Sequence, residues 1–409
     1  MDMASSQETG RRLRRPSDLA REHRGTRRSR VAGAIDLTWP LEFARSQEDR
    51  QALLVILSLP SLTPRRLLEL AAERRTATSC LRAINAGIAG SPYDRRHASS
   101  VDPGSVAASL EGLGGRLVAV HDSDYPLGLL DLVDPPAGLF VRGHALQELE
   151  PRAAIVGARN CSPSGEEIAG TLAEALAKAG ACVVSGGARG IDAAAHKAAL
   201  RAGGPSVAVL GSGIDVPYPR ENASLLKDVA ASGCLVSEYP PGTKAEPFRF
   251  PARNRIIAGL SRAVVVVEGA GGSGSMITAD QALDLGRDVF AVPGAVSNPL
   301  ATVPLALIRD GAALIRGPRD LLDDLGLKIG AISNEGGPGL PALGDPALEA
   351  VLSVLTVPAP PDALAASAGL PLPEVVSALV QLELMGLVRE VGGRFERRAT
   401  PALASRHKR

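Results

Sequence analysis

The chain has 409 residues, of which 45% are hydrophobic and 22% charged, a composition typical of soluble proteins with two or three domains. No apolar run approaches the roughly 20 residues that span a bilayer, and no apolar stretch follows the N-terminal charges, so we expect a cytoplasmic protein without membrane insertion. The four cysteines form no CxxC pair, which argues against a disulfide framework and against a zinc site.

The net charge of +1 conceals an uneven distribution. Residues 1–30 hold nine arginines against four acidic residues, whereas the rest of the chain holds 36 basic and 40 acidic residues. Bulk charge therefore does not identify a nucleic-acid-binding protein, and such a function must be argued from local placement. We interpret residues 1–40 as a disordered basic tail, which either is merely solvated or touches nucleic acid.

Residues 41–100 are predicted to form a small helical module. Apolar residues from 53 to 57 share one helical face, Pro60 and Pro64 interrupt the pattern, and it resumes at Leu67. Short helices around such a turn, as in SAM and helix–hairpin–helix modules, either pack as a plain domain or hold nucleic-acid backbones. Both interpretations stay open at this point.

Short β-branched runs alternate with helical segments between residues 150 and 316, inside a domain that we place at residues 101–329. The runs are apolar throughout, as expected for parallel strands covered by helices on both faces, so the sequence predicts a doubly wound α/β domain. Leu117–Val120 and Leu139–Val141 are predicted to add edge structure. The predicted core strands are Ala153–Val156, Ala181–Ser185, Ser206–Leu210, Cys234–Ser237, Ala263–Val267 and Val289–Val292.

The C-terminal part is predicted to contain a linker, a winged-helix domain and a short tail. The third helix of the winged-helix pattern, Pro373–Met385, carries Glu374 and Glu383 and no Lys or Arg. A helix that lies in the major groove needs phosphate and base donors, so we favour an interaction or regulatory role over duplex binding. The linker, the domain and the tail span residues 330–344, 345–398 and 399–409.

Ligands of open α/β sheets bind beyond the carboxyl ends of the strands, so the residues that follow each strand are candidate binding residues. Glycines let backbone amides approach an anion, and arginines grip phosphate oxygens with their forked guanidinium groups. We therefore predict a phosphate-bearing ligand at this sheet edge; the alternative is that the glycines serve only turns and the arginines only pair with acids. The arginines in question are Arg159, Arg189, Arg220, Arg249, Arg253 and Arg255.

Missing motif residues exclude some classes of phosphate-bearing ligand. The segment Gly269–Gly274 matches GxGxxG, but the next strand ends without a carboxylate for a ribose, and the chain has no P-loop motif. No Ser or Cys in this domain has a plausible His base, so we predict no catalytic residues, no metal site and no cofactor. A single strand of nucleic acid fits better, because Phe248 and Phe250 offer flat faces for bases, although Phe250 is equally consistent with a core position.

Five segments match, in order, the motifs of the DprA/Smf family of bacterial DNA-processing proteins of natural transformation. No single segment would identify the family, but together they are highly specific, and residues from about 110 to 325 resemble it. The helical module and the winged helix agree with the family's three-part layout. The five segments are Ile155–Arg159, Ser185–His196, Phe250–Ser261, Ser273–Ala279 and Ala291–Gly294.

The resemblance implies an extended Rossmann-like fold that binds single-stranded DNA, shields it, loads the RecA recombinase onto it, and forms a homodimer through this domain. Arg189, Arg220 and Arg249 are our additions to the DNA-contacting set, made from placement alone. The residues that the matching motifs add are Gly157, Arg159, Gly186, Gly187, Gly190, Phe250, Arg253, Asn254, Arg255, Gly274 and Ser275.

The chain departs from the family pattern at two places. Val303 and Leu305 stand where the family usually has Gly and Asn or His, and Ser164 replaces a usual Tyr, so a pocket or dimer contact is expected to differ. A rival interpretation is a nucleotide-processing enzyme resembling the LOG phosphoribohydrolases, but Ile277 occupies the position of their catalytic Glu. A nucleotide-binding sensor is the third alternative.

Overall fold

The structure is a computed structural model that describes residues 38–328, 345–355, 358–385 and 387–397. The predicted basic tail, the linker and the C-terminal tail lie outside these residues, apart from residues 38–40 at the end of the first.

Among the described residues, five short helices precede the sheet, whereas the apolar pattern indicated two. Helix α1 is buried on opposite sides, because Leu53 and Ile56 join the core on one face of the sheet while Leu54 packs with Leu110 into the core on the other face. The apolar run of α1 therefore serves two cores at the end of the sheet. The helices are α1 (Gln47–Leu57), α2 (Pro64–Arg74), α3 (Ala77–Asn85), α4 (Pro92–Ser100) and α5 (Pro103–Gly112).

A nine-stranded sheet forms the centre of the fold, in the order β1-β2-β6-β5-β4-β3-β7-β8-β9. The seven strands from β6 to β9 in this order are parallel, and β1 and β2 add an antiparallel edge. The strand order reverses next to β3, where β4 lies on one side and β7 on the other. The strands are β1 (Gly115–Ala119), β2 (Gly138–Gly143), β3 (Arg152–Val156), β4 (Cys182–Ser185), β5 (Ser206–Val209), β6 (Cys234–Ser237), β7 (Ala263–Val266), β8 (Asp288–Ala291) and β9 (Ala313–Leu314).

Helices cover both faces of the sheet, which confirms the predicted doubly wound, extended Rossmann-like architecture. Alternate residues of one strand enter different cores: Ile155 packs with the helices of one face and Val156 with those of the other. Both faces of the sheet are buried under helices, and this explains why the strand sequences are apolar throughout. The helices are α6 (Pro163–Lys178), α7 (Ile191–Arg201), α8 (Ala223–Ser232), α9 (Arg249–Leu260), α10 (Gly274–Asp284), α11 (Thr302–Arg309) and α12 (Pro318–Leu325).

The edge strand β1 is tied to the preceding helices by a side chain. Arg50 of α1 forms a bidentate ion pair with Asp122, with N–O distances of 2.8 and 2.9 Å. Its Nη2 also donates a 3.2 Å hydrogen bond to the backbone oxygen of Leu117 in β1. The helical segment thus satisfies part of the backbone of the strand that it covers.

A winged helix follows, with its own core around Val351, Val375 and Leu379. Ala359 forms an isolated antiparallel β-bridge with Phe395 of the wing. Among the described residues no single helix is long and apolar enough to cross a membrane. The helix pair Pro361–Ala368 and Leu372–Leu384, bent by 109°, passes that test by length and composition alone. The elements are α13 (Pro346–Val354), α14 (Pro361–Ala368), α15 (Leu372–Leu384), β10 (Val388–Val391) and β11 (Arg394–Arg397).

Candidate nucleic-acid interface

A pocket of about 230 Å³ opens beyond the carboxyl ends of β3, β4 and β5, where ligands of doubly wound sheets bind. Its walls come from the loops that follow these three strands and from the first turns of α9. Five residues of the predicted set line it together, and three of them are arginines. The lining residues are Arg159, Asn160, Gly186, Ala188, Arg189, Tyr218, Pro219, Phe250 and Arg253.

Phe250 forms an aromatic wall of this pocket. The guanidinium carbon of Arg159 lies 4.9 Å from the centre of the Phe250 ring, and the Tyr218 ring lies 5.2 Å from it, tilted by 35°. Phe250 is half-buried and Tyr218 is exposed, so both rings border solvent at the pocket. The alternative that Phe250 belongs to the core does not agree with this position. An arginine, a phenyl ring and a phenol side by side offer a base a stacking surface and a phosphate a partner.

Arg253 forms the inner wall and is almost fully buried. Its Nη1 donates to the backbone oxygen of Val209, and its Nε donates to Asn254 Oδ1 at 3.1 Å. A Cβ built at Gly186 would stand 2.1 Å from Arg253 Nη1, so only glycine leaves room for the guanidinium here. Burial lowers the pKa of Arg253 to about 10, and Asp192 opposes this shift. The side chain is therefore still a cation near neutral pH.

Asp192 at the start of α7 holds the glycine turn that carries Arg189. Its Oδ2 accepts hydrogen bonds from the backbone nitrogens of Gly186 and Ala188, at 3.1 and 3.3 Å. Burial raises the pKa of this carboxyl group, while the positive charge of Arg253 lowers it. The carboxylate thus compensates a buried arginine and shapes the loop beside it, a role that the sequence reading did not assign.

Gly190 brings two loops of the site together. Its φ is 67°, and a Cβ there would stand 2.3 Å from the backbone oxygen of Ala158. The backbone nitrogen of Ile191 donates a hydrogen bond to that same oxygen at 3.2 Å. The turn after β4 is therefore packed directly against the turn that carries Arg159, and a side chain at residue 190 would separate them.

Glu268, directly after β7, fixes the start of α6. Its carboxylate accepts hydrogen bonds from Ser162 Oγ at 2.6 Å and from the Ser162 backbone nitrogen at 2.8 Å. Gly157 and Gly165 pack against residue 268, because a Cβ at Gly157 would lie 2.9 Å from its backbone oxygen and one at Gly165 would lie 2.4 Å from its carboxyl group. The loop with Arg159 is thus anchored to a neighbouring strand.

The surroundings of the predicted residues outside the inner wall differ from one another. Arg189 and Arg220 are exposed near the rim of the pocket, and Arg189 pairs with Glu221. Gly187, with φ of 68°, shapes the same turn and packs against Leu226 rather than lining the pocket.

A second cluster continues from the pocket toward β7. Asn254 Nδ2 donates to the backbone oxygen of Gly274 at 3.1 Å, and the buried Ser275 Oγ lies 2.8 Å from Ser273 Oγ. Since Arg253 also bonds Asn254, these residues extend the site along the sheet edge to the start of α10.

Arg249 and Arg255 are engaged inside the protein. Arg255 Nη2 donates to both carboxylate oxygens of Glu238, at 2.6 and 2.7 Å, and its Nε lies 3.3 Å from Asp134 Oδ2. Arg249 donates to the backbone oxygen of Lys244 and lies over the Tyr239 ring at 4.9 Å. Arg255 therefore fits the alternative that these arginines only pair with acids. Arg249 is likewise held by contacts within the protein. Neither side chain lines the pocket.

The carboxylates around the pocket bind groups of the protein that form or support its walls. Asp192 bonds backbone amides, Glu268 bonds Ser162, and Glu221 pairs with Arg189. Ile277, at the position of the catalytic Glu of LOG-like enzymes, is partly exposed on α10. Within the described ranges, no group of three or more His, Cys, Asp or Glu side chains is arranged to hold a metal ion.

Comparisons with known proteins agree with the sequence motifs. Residues 116–326 match the family model of DNA recombination-mediator protein A, and residues 338–394 match that of the DprA winged helix domain. Protein Smf of Escherichia coli (strain K12) is 42% identical over 296 residues, which cover 70% of this chain and 79% of that protein. DNA processing protein DprA of Bacillus subtilis (strain 168) is 41% identical over 221 residues, covering 54% of this chain and 74% of the relative.

The fold is also similar to a solved structure. The X-ray structure of DNA processing protein A (DprA) from Streptococcus pneumoniae superposes with a TM-score of 0.60 at 32% identity. The match covers 68% of this chain and 98% of that one.

Proposed function

The chain belongs to the DNA recombination-mediator protein A family, and from this premise we propose that it binds single-stranded DNA along the sheet edge between Arg159 and Asn254. The observation that carries the proposal is the wall formed by Arg159, Phe250 and Tyr218 next to the cation of Arg253. Stacking on an aromatic ring accepts any base, and guanidinium groups neutralise the phosphates between them. In this proposal Arg189 and Arg220 extend the positive rim, whereas Arg249 and Arg255 support the structure from inside.

The strand, once bound, is protected from nucleases and receives the RecA recombinase during natural transformation. This part of the proposal follows from the family, whose members mediate recombination. We also propose a homodimer through the Rossmann-like domain and the division of the chain into residues 1–40, 41–100, 101–329, 330–344, 345–398 and 399–409.

We propose that the protein is a binding protein and not an enzyme. The carboxylates near the pocket are committed to backbone amides, Ser162 and Arg189, so none is poised as an acid or base toward the pocket. Incubation with nucleoside monophosphates is expected to release no free base. Detectable turnover would instead support the LOG-like interpretation.

The test is fluorescence anisotropy of a labelled single-stranded oligonucleotide, titrated at several salt concentrations with duplex and mononucleotide competitors. We expect binding that grows tighter with strand length, weakens with salt and is displaced poorly by duplex. Equal competition by a mononucleotide, without length dependence, would favour a nucleotide sensor. Loading is then measured as RecA-dependent ATP hydrolysis on strands coated with a single-strand-binding protein, which the chain is expected to accelerate.

A further inference from the structure

The third helix of the winged helix, α15, carries an apolar stripe on its outer surface. Leu372, Val376, Val380 and Leu384 recur at intervals of four residues, and their exposed fractions are 46%, 44%, 50% and 80%. Residues four apart lie one above the other on a helix, so the four side chains form one continuous strip. The inward side of α15 is separate and packs Val375, Leu379 and their neighbours into the domain core.

The charges of α15 are unfavourable for nucleic acid. The helix has Glu374 and Glu383 and no Lys or Arg, so its field repels phosphates. An exposed apolar strip on a helix without cations is instead typical of a surface that binds protein.

The order of residues in the stripe is the same from either end: Leu, Val, Val, Leu, centred on residue 378. If two copies of α15 meet antiparallel about a twofold axis, Leu372 of one faces Leu384 of the other and Val376 faces Val380. A surface that complements itself under twofold rotation is what an isologous interface requires. The pattern is therefore suited to a second copy of the same helix.

Charge supports the same arrangement. In this pairing the exposed Glu383 of one helix lies beside Pro373 of the other, at a helix N-terminus that has no side-chain cap. A carboxylate is stabilised by the partial positive charge at such an end. The two Glu383 side chains are ten residues apart along the pair, about 15 Å by the helical rise, so their repulsion is screened.

We propose that the winged-helix domain binds the winged-helix domain of a second copy through the α15 stripe, in an antiparallel helix pair. The surface is distinct from the Rossmann-like domain through which we propose the dimer. A single pair of 13-residue helices buries less than a standard protein interface, so the contact is weak between free molecules. It becomes effective when copies are held close, as on one DNA strand, and this effect depends on the proposed function.

Disulfide trapping in the DNA-free full-length protein tests the geometry, after Cys161, the partly exposed native thiol, is changed to Ser. Equal amounts of a Leu372→Cys chain and a Leu384→Cys chain are mixed and oxidised at high concentration. We expect a crosslink between the two variants and little between two Leu372→Cys chains, whose thiols lie about 18 Å apart along the pair. Preferential linking of Leu372→Cys to itself would indicate a parallel pair and overturn the proposal.

Sedimentation velocity over a concentration series tests the stripe itself. Val380→Glu is expected to weaken the association between winged-helix domains at least tenfold. Gln381→Glu adds the same charge to the adjacent exposed residue outside the stripe and is expected to leave this association unchanged. Equal effects of the two substitutions, or no effect of Val380→Glu with no mixed crosslink, would overturn the proposal. Vesicle binding lost in Val380→Glu, again without the crosslink, would assign the stripe to a membrane surface instead. Because none of these measurements contains DNA, their failure leaves single-strand binding untouched.

Discussion

The guanidinium group of Arg253 occupies the space that a side chain at residue 186 would need. A Cβ on Gly186 would lie 2.1 Å from Nη1, 2.3 Å from Nη2 and 2.4 Å from Cζ of Arg253. The glycine after β4 is therefore required by a neighbour in space, an arginine 67 positions later in the sequence. The pocket depends on this pair, because Arg253 forms its inner wall.

Gly186→Ala is expected to displace Arg253 and to weaken single-strand binding about tenfold to a hundredfold, since a charge-assisted contact to phosphate contributes roughly 1.5–3 kcal/mol. The matched control is Gly271→Ala in the loop after β7, where an added Cβ meets nothing within 4 Å. Anisotropy titrations of both variants check the prediction. Equal affinities would mean that Arg253 does not contact the strand.

Arg159→Ala is expected to reduce the dependence of affinity on salt. Each lost phosphate contact on a single strand lowers the slope of log K against log salt by about 0.7. Arg319→Ala removes an equal charge from a side chain on α12 that is 93% exposed, and it is expected to leave the slope unchanged. A slope that stays the same in Arg159→Ala would remove this residue from the interface.

Phe250→Ala is expected to cost about 1–3 kcal/mol of binding free energy through lost stacking while the salt slope stays as in the wild type. Phe248, two residues earlier and 66% exposed, lies outside the pocket and is the matched control. If Phe248→Ala weakens binding as much as Phe250→Ala, the bases lie outside the pocket. Titrations at three salt concentrations distinguish these outcomes.

Arg255→Gln is expected to lower the free energy of unfolding by about 3–5 kcal/mol, because it leaves Glu238, whose side chain is only 11% exposed, without its ion-pair partner. The strand affinity of the folded variant is expected to change little. Arg316→Gln breaks the ion pair with Asp320 at an arginine that is 80% exposed, and should alter stability far less. Urea unfolding measures stability; a large loss of affinity with unchanged stability would place Arg255 in the interface.

His196 is expected to make the protein sensitive to mild acid. Burial lowers the pKa of this imidazole to about 3, so the folded state stays neutral where the unfolded chain binds a proton below pH 6.5. The contribution of His196 to the free energy of unfolding is therefore fully present above pH 6.5. It declines as the pH falls and is about 2 kcal/mol smaller at pH 5.

Urea unfolding at pH 7.5 and 5 measures this decline in the wild type and in His196→Asn, which should lose much of it. The matched control is His144→Asn, which removes an exposed imidazole instead of the buried one. A decline of equal size in His196→Asn would assign the acid sensitivity to other groups.

The sequence predicted the core strands to within about one residue, because a strand buried on both faces must be apolar throughout. Helix α9 was not predicted: its first turns contain Pro251 and several arginines, and their polarity hides the helical period. The sequence reading treated this segment as a row along the sheet edge. In the helix Arg253 and Arg255 point in different directions, so one lines the pocket while the other pairs with Glu238.

Tyr218 and Asp192 are among the site residues that the sequence analysis did not identify, and the reasons differ. Tyr218 lies in the loop after β5, next to Pro219 and Arg220, and this position places it at the rim of the pocket. Nothing in the sequence shows that its ring contacts the Phe250 ring. In the sequence alone, Asp192 is indistinguishable from an ordinary helix-start carboxylate. Its interaction with Arg253 joins α7 to α9 across 61 positions, and such pairings appear only when the chain is folded.

The bond from Arg50 to the backbone of β1 bears on how the chain can be shortened. An edge strand with open amides and carbonyls is a template for pairing with other chains, and here α1 occupies part of that template. At the opposite end of the sheet, β9 is only two residues long and offers little to pair with. A fragment that begins after α5 would uncover both the strand and the apolar surfaces shared with α1. Such a fragment is expected to aggregate. The smallest unit that binds single-stranded DNA is therefore expected to include the N-terminal helices.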